Sequence, residues 1–359
     1  MKLSIIVGTR PEIIKMSPII RECEQLNLNY FILHTGQHYN YNMDKVFFEQ
    51  LELAKPLYNL DVGSGFHGEQ TGKILIGIEK IMMKEKPDIV LVEGDTNTVL
   101  AGSLAATKLH IKVGHVEAGL RSYDRSMPEE MNRVLTDHCS DYLFVPTKKS
   151  RQILLSEGIS DKKIFLTGNT IVDAVFQNIQ LANKKGNILT DLGIKKQKYF
   201  LVTAHRQENV DNHDRFKGII QGIRRIHEEY DLPVIYPVHP RASKKLKEFD
   251  LKTDGITLIE PQNYLSFLQL EQNAKIVLTD SGGVQEETCI LGTPCVTLRD
   301  NTERPETIEV GSNIIAGTNP KKIVECVSII NIKNKKWINP FGKGNAAKKI
   351  INILKELIV

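Results

Sequence analysis

Asp88-Ile-Val-Leu-Val-Glu-Gly-Asp95 is an apolar run of strand length that closes on a glycine and an acid, and a helical pattern opens behind it at Thr96. The same unit recurs in both directions. Strands are predicted at residues 3–7, 30–34, 89–93, 113–116, 142–145 and 164–167. Between them lie patterns such as Ile13, Ile14, Met16, Ile19, Ile20 and Cys23, spaced close to the helical period. A second series starts at 199–203 and continues through 234–238, 257–259, 276–278 and 295–298. Strands alternating with helices make an α/β protein with parallel sheets, and each series suffices for its own doubly wound, Rossmann-like sheet.

A chain of 359 residues exceeds the usual size of one core, so two domains are expected. The predicted division is an N-terminal domain over 1–170, a second over 171–340 and a terminal segment over 341–359. The boundary falls around a helix at 171–184 and the polar stretch 185–198. Near the end, Ile350, Ile351, Leu354 and Leu357 share one face of a helix over 346–357. That stripe must dock, and the first domain is its expected partner.

Composition is that of a soluble globular protein, 41% hydrophobic and 25% charged. No apolar run is long enough to span a bilayer, and the first residues lack the pattern of a signal peptide, so a cytoplasmic protein without a membrane partner is expected. The 47 basic and 43 acidic residues leave a net charge of +4, which permits an anionic small substrate. Basic and aromatic residues do not interleave as a nucleic-acid surface would require. Cys23, Cys139, Cys289, Cys295 and Cys326 show no metal or redox spacing and read as free thiols.

Ligands of open parallel sheets sit outside the carboxyl ends of the strands. Asp95 and Glu117 stand at two such ends, and Glu129 opens the helix that follows in Met127-Pro-Glu-Glu-Met-Asn-Arg133. The three read as one acid/base cluster. Asp95 also suits the N-cap of the next helix, and Ser126-Met-Pro-Glu129 also fits a capping box; Glu117 has no such local role.

Groups suited to a nucleotide diphosphate appear in both halves. In Val277-Leu-Thr-Asp-Ser-Gly-Gly-Val-Gln-Glu-Glu287 a strand runs through Ser281, Gly282 and Gly283 into a helix. The glycines admit a ligand close to the backbone, and the helix N-terminus favours an anion. Glu287, one and a half turns in, suits ribose hydroxyls; a plain strand-to-helix turn capped by Asp280 or Ser281 is the rival. Gly8-Thr-Arg10-Pro11 opens another turn, with Lys15 one helical turn on. Neither the dinucleotide fingerprint nor a Walker lysine motif occurs, so nicotinamide and ATP lose support. Arg304 reads either as a surface ion pair or as a bidentate diphosphate clamp.

Taken in order, Gly8-Thr-Arg-Pro-Glu, Thr35-Gly-Gln-His, Gly94-Asp-Thr, His115-Val-Glu-Ala-Gly-Leu-Arg121 and Pro128-Glu-Glu-Met-Asn-Arg133 resemble the non-hydrolysing UDP-N-acetylglucosamine 2-epimerase family. Thr203-Ala-His-Arg206, Asp280-Ser-Gly-Gly-Val-Gln-Glu-Glu287, Thr302-Glu-Arg-Pro-Glu306 and Asn339-Pro-Phe-Gly-Lys-Gly-Asn-Ala346 extend the resemblance over nearly the whole chain. It implies the GT-B fold, two Rossmann-like domains with an interdomain cleft and a C-terminal helix crossing back. The implied reaction interconverts UDP-N-acetylglucosamine and UDP-N-acetylmannosamine. UDP is eliminated to give 2-acetamidoglucal and then re-added, with no redox cofactor and no obligatory metal.

By the same resemblance Asp95, Glu117 and Glu129 handle protons and stabilise the oxocarbenium-like centre, and His205 meets the leaving diphosphate. Arg10 and Lys15 contact the nucleotide sugar, and Gln262 and Phe267 the uracil; core packing is the plain alternative for Phe267. Gln37, His38 and Gln70 match part of a regulatory pocket for UDP-N-acetylglucosamine, although Asn40 stands where several bacterial members carry glutamine. A homodimer supplying precursors of surface polysaccharide or cell wall is the implied setting. A GT-B glycosyltransferase and a hydrolysing 2-epimerase are the alternatives.

Overall fold

The computed structural model describes residues 1–37, 41–332 and 336–358. It divides into two compact units, one of residues 1–177 with 341–359, the other of residues 178–340.

The first unit holds β1 (Lys2–Val7), β2 (Asn29–His34), β3 (Tyr58–Asn59), β4 (Ile89–Glu93), β5 (Lys112–Val116), β6 (Tyr142–Val145) and β7 (Ile164–Leu166). They form one sheet in the order β3-β2-β1-β4-β5-β6-β7, with parallel pairing throughout. β4 lies beside β1, Leu3 opposite Ile89 and Ile5 opposite Leu91, and all five of its residues are buried. Helices on both faces explain why it reads as an unbroken apolar run rather than an alternating one.

The second unit holds β8 (Phe200–Thr203), β9 (Val234–Pro237), β10 (Ile256–Ile259), β11 (Ile276–Thr279), β12 (Cys295–Thr297) and β13 (Asn313–Ile315). Their order, β10-β9-β8-β11-β12-β13, repeats the first unit's pattern. Each unit is therefore a doubly wound Rossmann-like sheet, as the alternation predicted. The strand order reverses between β1 and β4 in one unit and between β8 and β11 in the other. At such switch points the flanking crossovers leave on opposite faces, and a ligand crevice opens at the carboxyl ends.

The strands β3 and β13 were not among those predicted; they span two and three residues, too few for a pattern. The polar stretch 185–198 carries a short helix, Ile188–Asp191, whose Asn187 side chain accepts from the Leu189 amide while Leu189 is buried. The C-terminal helix Ala346–Leu357 packs against the helix Arg10–Gln25. Ile350, Ile351 and Leu354 are buried, but Leu357 is 45% exposed, so the stripe ends one turn earlier than its sequence implies. Its first amides, Ala346 and Ala347, both donate to the Asp173 carboxylate at 3.1 Å, which caps the helix. Four of the five cysteines are buried and all are free. No helix of the described residues is long and apolar enough to cross a membrane.

Candidate active site

In the first unit the turn after β1 is set by Gly8, where a Cβ would run into the hydroxyls of Thr35 and Thr98. The helix Arg10–Gln25 follows, with Pro11 in its first turn. Glu12, 2% exposed, reaches back to accept from the Gly8 and Thr9 amides, and its other oxygen accepts from the Thr96 hydroxyl at 2.5 Å. It thereby staples the turn after β1 to the turn after β4. Burial lifts its pKa from 4.5 to about 7 despite the three donors.

One turn on, Lys15 Nζ lies 2.5 Å from Glu117 Oε2 and 3.3 Å from Glu93 Oε1. Glu117 also accepts from Asn169 Nδ2 at 3.1 Å. Its backbone is left-handed, φ +68°, a conformation costing a non-glycine residue about 1–3 kcal/mol. Glu93 is buried, and burial holds it well above the usual carboxylate range. Lys15 draws it down, while Glu117, Glu12 and Asp95 push it up again. Four carboxyl groups thus gather around Lys15 and Arg133, more acids than the two cations can neutralise, and burial pushes both Glu12 and Glu93 toward their protonated forms.

Asp95 is held by Arg133, whose Nε and Nη2 both donate to Oδ2, at 2.9 and 2.5 Å. The N-cap of the following helix is Thr96, so Asp95 does not take the capping role that was its rival reading. Nor does Ser126 cap the next helix: its hydroxyl donates to Asp124, and Met127 is the N-cap. Glu129, half-buried in the first turn of Pro128–Cys139, has no side-chain hydrogen bond or ion pair among the described residues. Its neighbour Glu130 accepts from the Ser122 and Tyr123 amides and from Arg133 instead.

A buried network fixes this end of the sheet. His115 Nε2 lies 2.9 Å from the Gly94 carbonyl oxygen and Nδ1 2.6 Å from the Asp137 carboxylate, and Asp137 also accepts from Arg121 and the Gly119 amide. Arg10 stacks its guanidinium over Phe47, 5.2 Å from the ring centre. Gln37 donates to Gln70 at 3.3 Å, and Asn97 donates to the same Gln70 oxygen at 2.9 Å. His38 and Asn40 lie outside the described residues.

In the second unit the two turns at the switch point are joined by Asp280, fully buried. Its carboxylate accepts from the His205 and Arg206 amides, from Asn209 Nδ2 at 3.1 Å, and from His205 Nδ1 at 3.2 Å. Burial alone would raise Asp280, but these donors outweigh it and hold it below its ordinary value. The His205 ring is 47% exposed.

The helix Gly282–Leu291 starts with Ser281 as N-cap and no side-chain cap, since Asp280 is committed to the β8 turn. A Cβ at Gly282 or Gly283 would meet only Glu303 Oε2 at 3.8 Å or Ser281 Oγ at 3.9 Å. Packing of the protein therefore does not require glycine there, unlike at Gly8. Glu287 is buried. Arg304 pairs through Nε with the buried Glu286 at 2.8 Å, a partly buried pair rather than a surface one. Gln262 donates to the Glu260 carbonyl, and Phe267 packs half-buried against the core that includes Tyr199, Leu270 and Val277. Among the described residues no three His, Cys, Asp or Glu side chains converge as a metal site.

A family model described as UDP-N-acetylglucosamine 2-epimerase matches residues 21–355. The chain is 59% identical to a UDP-N-acetylglucosamine 2-epimerase of Methanocaldococcus jannaschii, over 99% of both chains. It is 57% identical to one of Methanococcus maripaludis, over 98% of both. This chain belongs to the UDP-N-acetylglucosamine 2-epimerase family. A crystal structure of the Methanocaldococcus jannaschii UDP-GlcNAc 2-epimerase in complex with UDP-GlcNAc and UDP superposes with a TM-score of 0.88, covering 99% of this chain and all of that one. The GT-B-like fold class is that of these epimerases.

Within this epimerase-family chain, three buried carboxyls were not singled out by sequence reasoning. Glu12 had a signal, because Thr9-x-x-Glu12 is a capping-box spacing ahead of an apolar helix. Glu93 lies inside the stretch that reveals the fold, and an acid within a buried strand demands a partner. Asp137 had none: its contact with His115 exists only once a helix and a strand are packed together.

Proposed function

We propose that this chain inverts carbon 2 of UDP-N-acetylglucosamine to give UDP-N-acetylmannosamine, reversibly and without net hydrolysis. The observation that carries the reading is the match over nearly the full length of both chains to an enzyme of that name whose structure holds UDP-GlcNAc and UDP. The proton on carbon 2 is not adjacent to a carbonyl on the ring, so direct removal leaves an unstabilised carbanion. Loss of UDP from carbon 1 creates an oxocarbenium-like centre that acidifies that proton, giving 2-acetamidoglucal. Re-addition of UDP with protonation from the other face completes the inversion.

The first unit supplies the proton-handling groups. Glu117 is paired with Lys15, Asp95 is aimed by Arg133, and Glu129 is uncommitted and accessible. The three share proton removal, proton return and support of the cationic centre, each step of this kind being worth about 10²–10⁴ in rate. Arg10 and Lys15 belong to the nucleotide-sugar contacts. The second unit holds the nucleotide: the Ser281 hydroxyl, the uncapped amides at Gly282 and Gly283 and the cation Arg304 for diphosphate, His205 for the leaving oxygen, Glu287 for ribose, and Gln262 with Phe267 for uracil. Gln37 and Gln70, already joined in the structure, would line an activator pocket with His38. The protein works as a cytoplasmic homodimer and supplies precursors of a surface polysaccharide or cell wall.

Proton NMR of the purified protein with UDP-N-acetylglucosamine in heavy water tests the reading. UDP-N-acetylmannosamine deuterated at carbon 2, with little free UDP, is the expected product. Stoichiometric UDP with free N-acetylmannosamine would move the chain to the hydrolysing class. No exchange, with or without added activator, would overturn the epimerase reading.

A further inference from the structure

Behind the glycine turn of the second unit, the helices Tyr264–Asn273 and Gly282–Leu291 bury two acids against each other. Glu271 is 0% exposed and Glu287 is 8% exposed. Tyr264, seven residues before Glu271 and so on the same face of its helix, brings its buried hydroxyl to the same Glu287 carboxyl. Neither oxygen of Glu271 meets an N–H or O–H donor, and no cation is paired with it among the described residues. The polar group its carboxyl lies against is that of Glu287.

Two carboxylates in contact and out of water cannot both ionise, and a hydrogen bond joins them only if one carries the proton. Glu271 is the deeper of the two, and burial followed by the charge of Glu287 pushes it well above the usual carboxylate range. The proton therefore rests on Glu271, whose O–H donates to Glu287. The other ionisable groups near Glu271 are Tyr199 and Cys295, both raised by burial and neutral.

We propose that Glu271 is a positioning residue: its hydrogen bond orients the Glu287 carboxylate toward a vicinal diol, and so makes the second unit select nucleotides that carry ribose over those that carry deoxyribose. This rests on the reading of Glu287 as the ribose contact. The role belongs to a protonated acid, so glutamine, which donates an N–H from the same place, substitutes for it. Methionine fills a similar volume without a donor.

The test is calorimetric binding of UDP and of 2′-deoxyuridine diphosphate to the full chain and to Glu271→Gln, Glu271→Met and Glu287→Gln, with a thermal melt of each. Wild type and Glu271→Gln should share one preference for UDP. Glu271→Met should melt no lower than wild type yet lose about tenfold of that preference, the worth of one well-placed hydrogen bond. A preference unchanged in Glu287→Gln would overturn the ribose reading itself. Loss in Glu287→Gln with the preference intact in Glu271→Met would overturn the positioning role alone. Equal loss in Glu271→Gln and Glu271→Met would also overturn it, because donation would then not be what matters.

Discussion

Replacing Glu12 by glutamine should remove a pH-dependent weakness from the first unit. Glu12 titrates near 4.5 in the unfolded chain and near 7 in the folded one, because burial outweighs its three donors. A folded pKa above the unfolded value means that the native state holds the proton more tightly. The stability contribution is therefore complete below pH 4.5 and is lost as pH rises through 7. The full separation is worth about 3 kcal/mol, of which about 2.5 kcal/mol falls between pH 5 and pH 8.

Glutamine keeps the geometry. Its oxygen can accept from the Gly8 and Thr9 amides as Oε2 does now, and the Thr96 hydroxyl can turn to accept from the new N–H. It has nothing to titrate. Relative to wild type, Glu12→Gln should gain about 2–3 kcal/mol on going from pH 5 to pH 8. Urea titration read by hydrogen exchange of the β1 amides isolates the first unit, which matters because a chain of two units need not unfold in one step. Curves for wild type and variant that run parallel across this range would refute the argument that burial governs Glu12.

Three further outcomes follow from the site and its frame. Glu117→Gln should still bind UDP while turnover falls about 10²–10⁴-fold, followed by exchange at carbon 2 and by calorimetry; unimpaired turnover would remove Glu117 from the chemistry. Gly283→Ala should leave the melting temperature unchanged, since the added methyl meets only ordinary contacts, but should weaken UDP binding at least about tenfold; equal affinity would make the glycine turn purely structural. Ile351→Ala, emptying a fully buried site on the terminal helix, should cost about 2–5 kcal/mol and expose residues 341–358 to limited proteolysis. Resistance equal to wild type would mean that the helix is held by its Asp173 cap rather than by its stripe.

Much of the frame was legible because parallel strands covered on both faces announce themselves as apolar runs. β1, β4, β5 and β11 stand where their runs lie, whereas β13 relies on Asn313, a polar residue at home there because Thr297 donates to it and it donates in turn to Gln285 and Thr307. Asp95 and Glu117 were found by position, since a strand end at a sheet's carboxyl edge can be read along the chain. Their companions were not, because a buried carboxyl is defined by what faces it. Lys15 meets Glu117 across 102 residues of sequence, and Asp280 meets the His205 amide across 75. The plain alternative for Asp95 failed for a local reason, the helix beginning one residue later than supposed, with Thr96 as its cap.

The two units solve one mechanical problem in the same way and with opposite electrostatics. A switch point leaves two turns side by side with no strand hydrogen bonds to fix their spacing, yet those turns must present ligand-facing groups at a set distance. In each unit a buried carboxylate bridges them, Glu12 from the turn after β1 to Thr96, Asp280 from the turn after β11 to His205 and Arg206. Glu12 has three neutral donors and is lifted by burial; Asp280 gains a fourth partner in the His205 imidazole and is held low. Asp280 therefore contributes stability that is present above its unfolded value near 3.8 and is lost only as pH falls through its still lower folded one. Acidification from pH 7 toward 4.5 strengthens the first staple and leaves the second intact. It follows that the turn after β1, which leads into the helix of Arg10 and Lys15, is held least firmly at the alkaline end, where Glu12 is charged, whereas the turn carrying His205 is held equally across the neutral range.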